Sequence, residues 1–143
     1  MGSKRTVAYR GEKLDIAFAR NQSGASPAEE FFNNLSKLEQ TKLMVLFKML
    51  ADSDPGRVLN PEKFGRLGDG LFEFKSFQIR MPYAYASNEK GTVIISHGFI
   101  KKKDKAPSSE IERARRILAE DDKACKVFGI NDEKAQKAKR RKS

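Results

Sequence analysis

The residues of this chain that could do chemistry are mostly cationic. Lys75 and Arg80 lie close together in the segment Leu71 to Pro107, and Lys101, Lys102, Lys103 and Lys105 cluster near its end. Ammonium and guanidinium groups held together concentrate positive potential and bind anions, a phosphate backbone above all. Arg80 sits between Ile79 and Met81. It reads either as a fork-shaped donor to a phosphate or as the partner of Glu73 in a cross-strand ion pair. His97 lies in the most apolar run. It reads either as a hydrogen-bonded core residue or as a proton carrier, since its ordinary pKa suits proton transfer near neutrality better than any lysine's. Cys125 has no histidine near it in the sequence and reads as inert.

These residues need a sheet to hold them. Three runs, Leu71 to Lys75, Phe77 to Ala86 and Thr92 to Ile100, alternate or are continuously apolar, as strands are. Side chains along a strand point to opposite faces in turn. Phe72 and Phe74 therefore share a face, as do Phe77, Ile79, Met81, Tyr83 and Tyr85, while Glu73, Lys75 and Arg80 take the other. The pattern predicts a turn at Lys75 to Gln78, a hairpin loop over Ser87 to Gly91, and a central third strand buried on both faces. Pro82 cannot donate a ladder hydrogen bond, so it predicts an edge or a bulge.

Upstream, Leu14 to Ala19 alternates as one strand. Ser26-Pro27-Ala28-Glu29 announces a helix by a cap, a first-position proline and a capping box. Leu43, Leu46, Phe47 and Leu50 mark a second helical face, with a break near Ser36 to Gln40 and an end at Asp52 to Gly56. Val58 to Gly70 reads as irregular, anchored by Phe64 and Leu67. Downstream, Ser108 or Ser109 caps a helix whose apolar face is Ile111, Ala114, Ile117 and Leu118, with Arg113, Arg115 and Arg116 around it. Residues 123–143 read as a basic extension to a 1–122 domain. Asn131 can cap a last helix there, and its run from Lys134 to Lys142 has no acidic residue and little to bury.

Composition bounds the partners. The chain has 143 residues and a formal charge of +10, so one domain and an anionic partner are expected, nucleic acid before a membrane surface. No apolar run is long enough to span a bilayer, and the N-terminus has no apolar signal region. One Cys and one His exclude an internal disulfide and an ordinary Cys/His zinc site. A reducing cytoplasm is the simplest compartment, and no metal or small-molecule cofactor is expected.

The succession of two helices, then Gly70-Leu71-Phe72-Glu73-Phe74-Lys75, then Arg80 in an apolar strand, resembles the RelE superfamily of toxins. So does the continuation His97-Gly98-Phe99-Ile100-Lys101-Lys102, then Lys105-Ala106-Pro107 and Glu110-Ile111. The nearest branch is the phage-derived, HigB-like toxins of type II toxin–antitoxin systems, and the likeness runs from about Pro27 to Leu118. It implies an α+β, RelE-like fold: an N-terminal strand and helical hairpin packed on a small antiparallel sheet, with a C-terminal helix. It also implies a ribosome-dependent, metal-independent mRNA endoribonuclease, with mRNA, the ribosome and a cognate antitoxin as partners. Carried over by position, Arg80 would hold the scissile phosphate and Lys75 would assist where the family usually has Arg. Lys102 and His97 complete the candidate catalytic set, and Lys101, Lys102, Lys103 and Lys105 would bind RNA. Rival readings are a nucleic-acid-binding module without cleavage, and a mobile-element protein that binds an acidic partner.

Overall fold

In the computed structural model, residues 5–54, 57, 59–102 and 108–124 are described. Serines start both early helices. Ser26 caps α1 (Pro27–Asn33), its hydroxyl accepting from the Glu29 N–H at 3.2 Å. The predicted box there is half made, because the Glu29 carboxylate lies 3.5 Å from the Arg20 guanidinium instead. The complete box stands one helix later: Ser36 caps α2 (Lys37–Asp52), its Oγ accepts from Glu39 N–H, and the Glu39 carboxylate accepts from Ser36 N–H at 2.9 Å. The interruption between helices falls within the residues 34–36. Leu43, Leu46, Phe47 and Leu50 form the buried face of α2 as their spacing predicts.

Seven strands make one sheet: β1 (Thr6–Arg10), β2 (Asp15–Phe18), β3 (Phe64–Gly68), β4 (Leu71–Ser76), β5 (Ile79–Tyr85), β6 (Thr92–Ile95) and β7 (Phe99–Ile100). Their order is β1-β2-β6-β5-β4-β3, with β7 also paired to β5. The fold is α+β, but the sheet is mixed rather than antiparallel, since β2 runs parallel to β6. Parallel neighbours require a long crossover, and the helices and the β3–β5 meander supply it. Two strands were not expected. β1 pairs with β2 through an irregular register and is half-buried without clean alternation. β3 is a glycine-bearing edge strand in the stretch read as irregular, held by its pairing to β4.

The predicted third run is divided into β6 and β7. Between the pairs Tyr83↔Ile95 and Arg80↔Phe99 the chain advances three residues on β5 and four on the facing side, a one-residue bulge. Pro82 lies opposite it. Its carbonyl accepts from Ser96 N–H at 2.9 Å, and the irregularity falls where its missing N–H would have donated. A proline is thus accommodated in a central strand.

One sheet face packs on α1 and α2. Aromatic rings run through that core, from Phe18 to Phe32, Phe47, Phe74 and Tyr83, with centroids 4.3–6.0 Å apart along the series. Phe77 and Tyr85, placed on the core face by alternation, are 64% and 51% exposed. Phe77 sits in the β4–β5 turn with φ of 54°, and Tyr85 lies at the far end of its strand. The other face receives α3, the helix at 108–124, whose Ile117 and Leu118 pack on Ala17, Ala19 and Ile94. Asp121 on α3 is buried and bonds the Arg5 guanidinium at 2.7 Å and Arg20 N–H at 2.9 Å. The expected turn residues Pro55 and Gly56, together with Cys125, Asn131 and the basic tail, lie outside the described residues.

Gly98 in the bulge shows how tightly the layers meet. A Cβ there would stand 2.1 Å from the Phe31 ring of α1. Gly98→Ala should therefore destabilise the fold by about 1–3 kcal/mol through overpacking. Urea unfolding of the two proteins measures it.

Candidate functional site

Ladder register builds the site. On β4 and β5 Lys75 is directly opposite Arg80, and Glu73 is opposite Pro82. Phe99 of β7 faces Arg80 from the other side. Residues opposite one another share a face, so Glu73, Lys75, Arg80 and Phe99 all stand on the face away from α1 and α2. The Lys101 N–H donates to the Gln78 carbonyl at 2.7 Å, which draws the lysine segment to the β4–β5 turn.

Glu73 is the centre of this group and was read from sequence only as a possible partner of Arg80. It is 8% exposed. Burial pushes its carboxyl above the usual range, against the opposing pull of Arg80, Lys75 and Lys101. Desolvation outweighs three nearby cations. Its Oε1 is buried and has no hydrogen-bond partner among the described residues. The contact ion pair with Arg80 is not made. The Arg80 Nη1 instead donates to the carbonyls of Phe77 and Ile79, both at 2.9 Å, and its Nε is buried without a partner among the described residues. The guanidinium is thereby aimed by its own hairpin. The available signal for Glu73 was its position between Phe72 and Phe74, a charge at a strand's centre.

His97 is 1% exposed and stacks on Phe99, with centroids 5.7 Å apart. Its Nε2 lies 2.8 Å from Glu110 Oε1 on α3, and its Nδ1 2.9 Å from Ser96 Oγ. The neutral tautomer carrying hydrogen on Nε2 satisfies both, donating to Glu110 and accepting from the Ser96 hydroxyl. Burial pushes its pKa down, Arg113 and Arg116 push the same way, and Glu110 opposes them. The imidazole is a pin between the bulge and α3, sealed from solvent.

The structure thus brings Lys75, Arg80 and Lys101 together around Glu73. Lys102 is exposed, and among the described residues no contact draws it into the group; Lys103 and Lys105 lie outside the described residues. The helix α3 adds exposed Arg113, Arg115 and Arg116 on this side of the sheet, with Arg115 donating to the Gly68 carbonyl at 2.9 Å. Among the described residues no His, Cys, Asp and Glu group is arranged to hold a metal ion, and no helix is long and apolar enough to cross a membrane.

A histidine whose folded pKa lies below its unfolded value stabilises the fold fully when neutral. That contribution is lost as pH falls from about 6.5 through the depressed value. The Tm of the wild type should therefore drop between pH 7.5 and pH 5.5, and His97→Gln should show a smaller drop. Melting curves at the two pH values check this.

The comparisons with known proteins follow the same segment. The family model described as phage derived protein Gp49-like (DUF891) matches residues 30–119. No curated protein matches the chain. The matched span contains Lys75, Arg80, His97, Lys101 and Lys102, and it covers more than half of the 143 residues. The chain belongs to the Gp49-like family of phage-derived proteins, a RelE/toxin-like family.

Proposed function

We propose that this protein is a toxin of a type II toxin–antitoxin system, of the HigB-like branch, that cleaves mRNA on the ribosome without a metal. The observation that carries the reading is the gathering of Lys75, Arg80 and Lys101 on one sheet face around a single buried carboxylate. In this reaction the ribose 2′-OH attacks the adjacent phosphorus, the P–O5′ bond breaks, and a 2′,3′-cyclic phosphate and a 5′-OH result. Negative charge grows on the phosphate oxygens in the transition state. A guanidinium already aimed at that place stabilises it without reorganising. Arg80 has the requisite fixed geometry, since two backbone carbonyls hold one of its nitrogens. Lys75 across the ladder adds a point charge rather than a fork. Lys101, Lys102 and the arginines of α3 supply the surrounding positive field for RNA, and a cognate antitoxin would silence the protein by covering that face.

A second reading is a nucleic-acid-binding protein without cleavage. The sealing of His97 favours it, because that removes the one imidazole from proton transfer. The two readings separate in a primer-extension experiment on translated mRNA: cleavage ends within the reading frame support the first, and salt-sensitive binding without ends supports the second.

Expression of the wild-type protein should arrest growth, and Arg80→Ala should abolish the arrest, with cleavage falling about 100-fold or more. Arg80→Ala also removes two hydrogen bonds at the turn, so circular dichroism of the purified variant must show a folded protein. A folded Arg80→Ala that arrests growth as well as the wild type would remove Arg80 from the site.

A further inference from the structure

Resting on that reading, we propose that Glu73 is the proton acceptor of the site, taking the hydrogen of the attacking 2′-OH. The geometry is the first support. Glu73 shares its face with Lys75 and Arg80 and is more than nine-tenths buried, with Oε1 unpartnered among the described residues. Among the described residues no donor occupies that oxygen, and neither Arg80 nor Lys75 closes on the carboxylate. Opposite it on β3 stands Gly65, which carries no side chain. A Cβ there would lie 3.1 Å from Glu73 Oε2 and 3.5 Å from Lys75 Cε. The missing side chain leaves room beside Oε2, the other oxygen of the carboxylate, next to the lysine.

The second support is energetic. The charged groups acting on Glu73 are Arg80 on β5, Lys75 on β4 and Lys101 beyond β7. Pro82, facing it across the ladder, has none. Even so, burial keeps the carboxyl less acidic than an ordinary glutamate. A base is most useful when its pKa approaches the working pH, and desolvation is a common way to raise a carboxylate toward it. A lysine at its ordinary pKa is almost fully protonated at neutral pH.

The step balances as follows. The 2′-OH proton moves to Glu73, O2′ bonds to phosphorus, and P–O5′ breaks. The departing 5′-oxygen takes a proton from a neighbouring ammonium, with Lys75 and Lys101 the two whose charge acts on the same carboxylate. Glu73 returns its proton to solvent, and the amine regains one from water.

A purely structural Glu73 makes an opposite forecast. Because its folded pKa is raised, folding favours the protonated form, and stability is lost as pH rises through the shifted value. A neutral isostere should therefore melt at higher temperature than the wild type near pH 7, whereas a structural ion partner replaced by Gln should melt lower.

The test uses the full-length protein on ribosomes programmed with mRNA, comparing wild type, Glu73→Gln and Glu73→Asp. We expect Glu73→Gln to bind the complex as the wild type does, to melt higher, and to cleave about 100-fold or more slowly. Its rate should also lose the rising acid limb of the wild-type pH profile, and Glu73→Asp should restore part of the rate. If the wild type cleaves and Glu73→Gln cleaves equally with the same pH profile, the proton-acceptor role is overturned while the ribonuclease reading stands. A lower Tm in Glu73→Gln, with activity lost only in proportion to unfolding, also overturns the role. If the wild type itself cleaves nothing, the ribonuclease reading fails and the role fails with it.

Discussion

A proline in a central strand sets much of this structure. Pro82 has no N–H to give to the ladder, and β5 is flanked on both sides. The one-residue bulge spanning Ser96 to Gly98 absorbs the mismatch. Its consequences reach both faces of the sheet. Gly98 is brought under Phe31, closing the core layer beneath α1. His97 is turned outward to meet Glu110 on α3. The bulge re-aims the following strand, placing Phe99 opposite Arg80 and delivering Lys101 to the β4–β5 turn. A local defect in pairing thus positions three parts of the candidate site.

Two buried ionic arrangements lie on the same face and differ in kind. Arg5 and Asp121 have side chains 9% and 4% exposed and meet at 2.7 Å, with Asp121 also accepting from the Arg20 backbone. That carboxylate is well paired, and it fastens α3 to the residue before β1 and to the residue after Ala19. Removing one member would strand a buried charge, the costly case. Around Glu73 the opposite holds: a carboxylate oxygen and a guanidinium Nε are buried without partners among the described residues. Among the described residues the third such atom is Arg20 Nε, beside the Asp121 cluster, so the buried unpartnered groups fall at both arrangements, two of them around Glu73.

The aromatic series from Phe18 to Tyr83 makes that arrangement affordable. Rings at T-shaped and stacked distances, such as Phe47 on Phe74 at 4.9 Å and Phe74 on Tyr83 at 4.3 Å, join α2 to β4 and β5. These are the strands that carry Glu73, Lys75 and Arg80 on their reverse side. Strand alternation alone couples the two: every ring driven into the core drives its neighbour outward.

That coupling is why the sequence by itself could assign Lys75, Arg80 and Glu73 to one face, and why the start of α1 and the buried stripe of α2 were legible. Caps, period-2 alternation and helical spacing act over a few residues, so a linear reading contains them. Tertiary structure alone decided the rest. The parallel pairing of β2 with β6 joins residues 77 apart in the chain, and no local pattern carries strand direction. β3, with two glycines in five residues, is a strand only because β4 is beside it. Alternation misplaced Phe77 and Tyr85 because a turn and a strand end escape the core whatever their parity. The partners of His97, the burial of Asp121 and the raised carboxyl of Glu73 depend on desolvation by distant elements, and desolvation is a property of the packed volume rather than of neighbours along the chain.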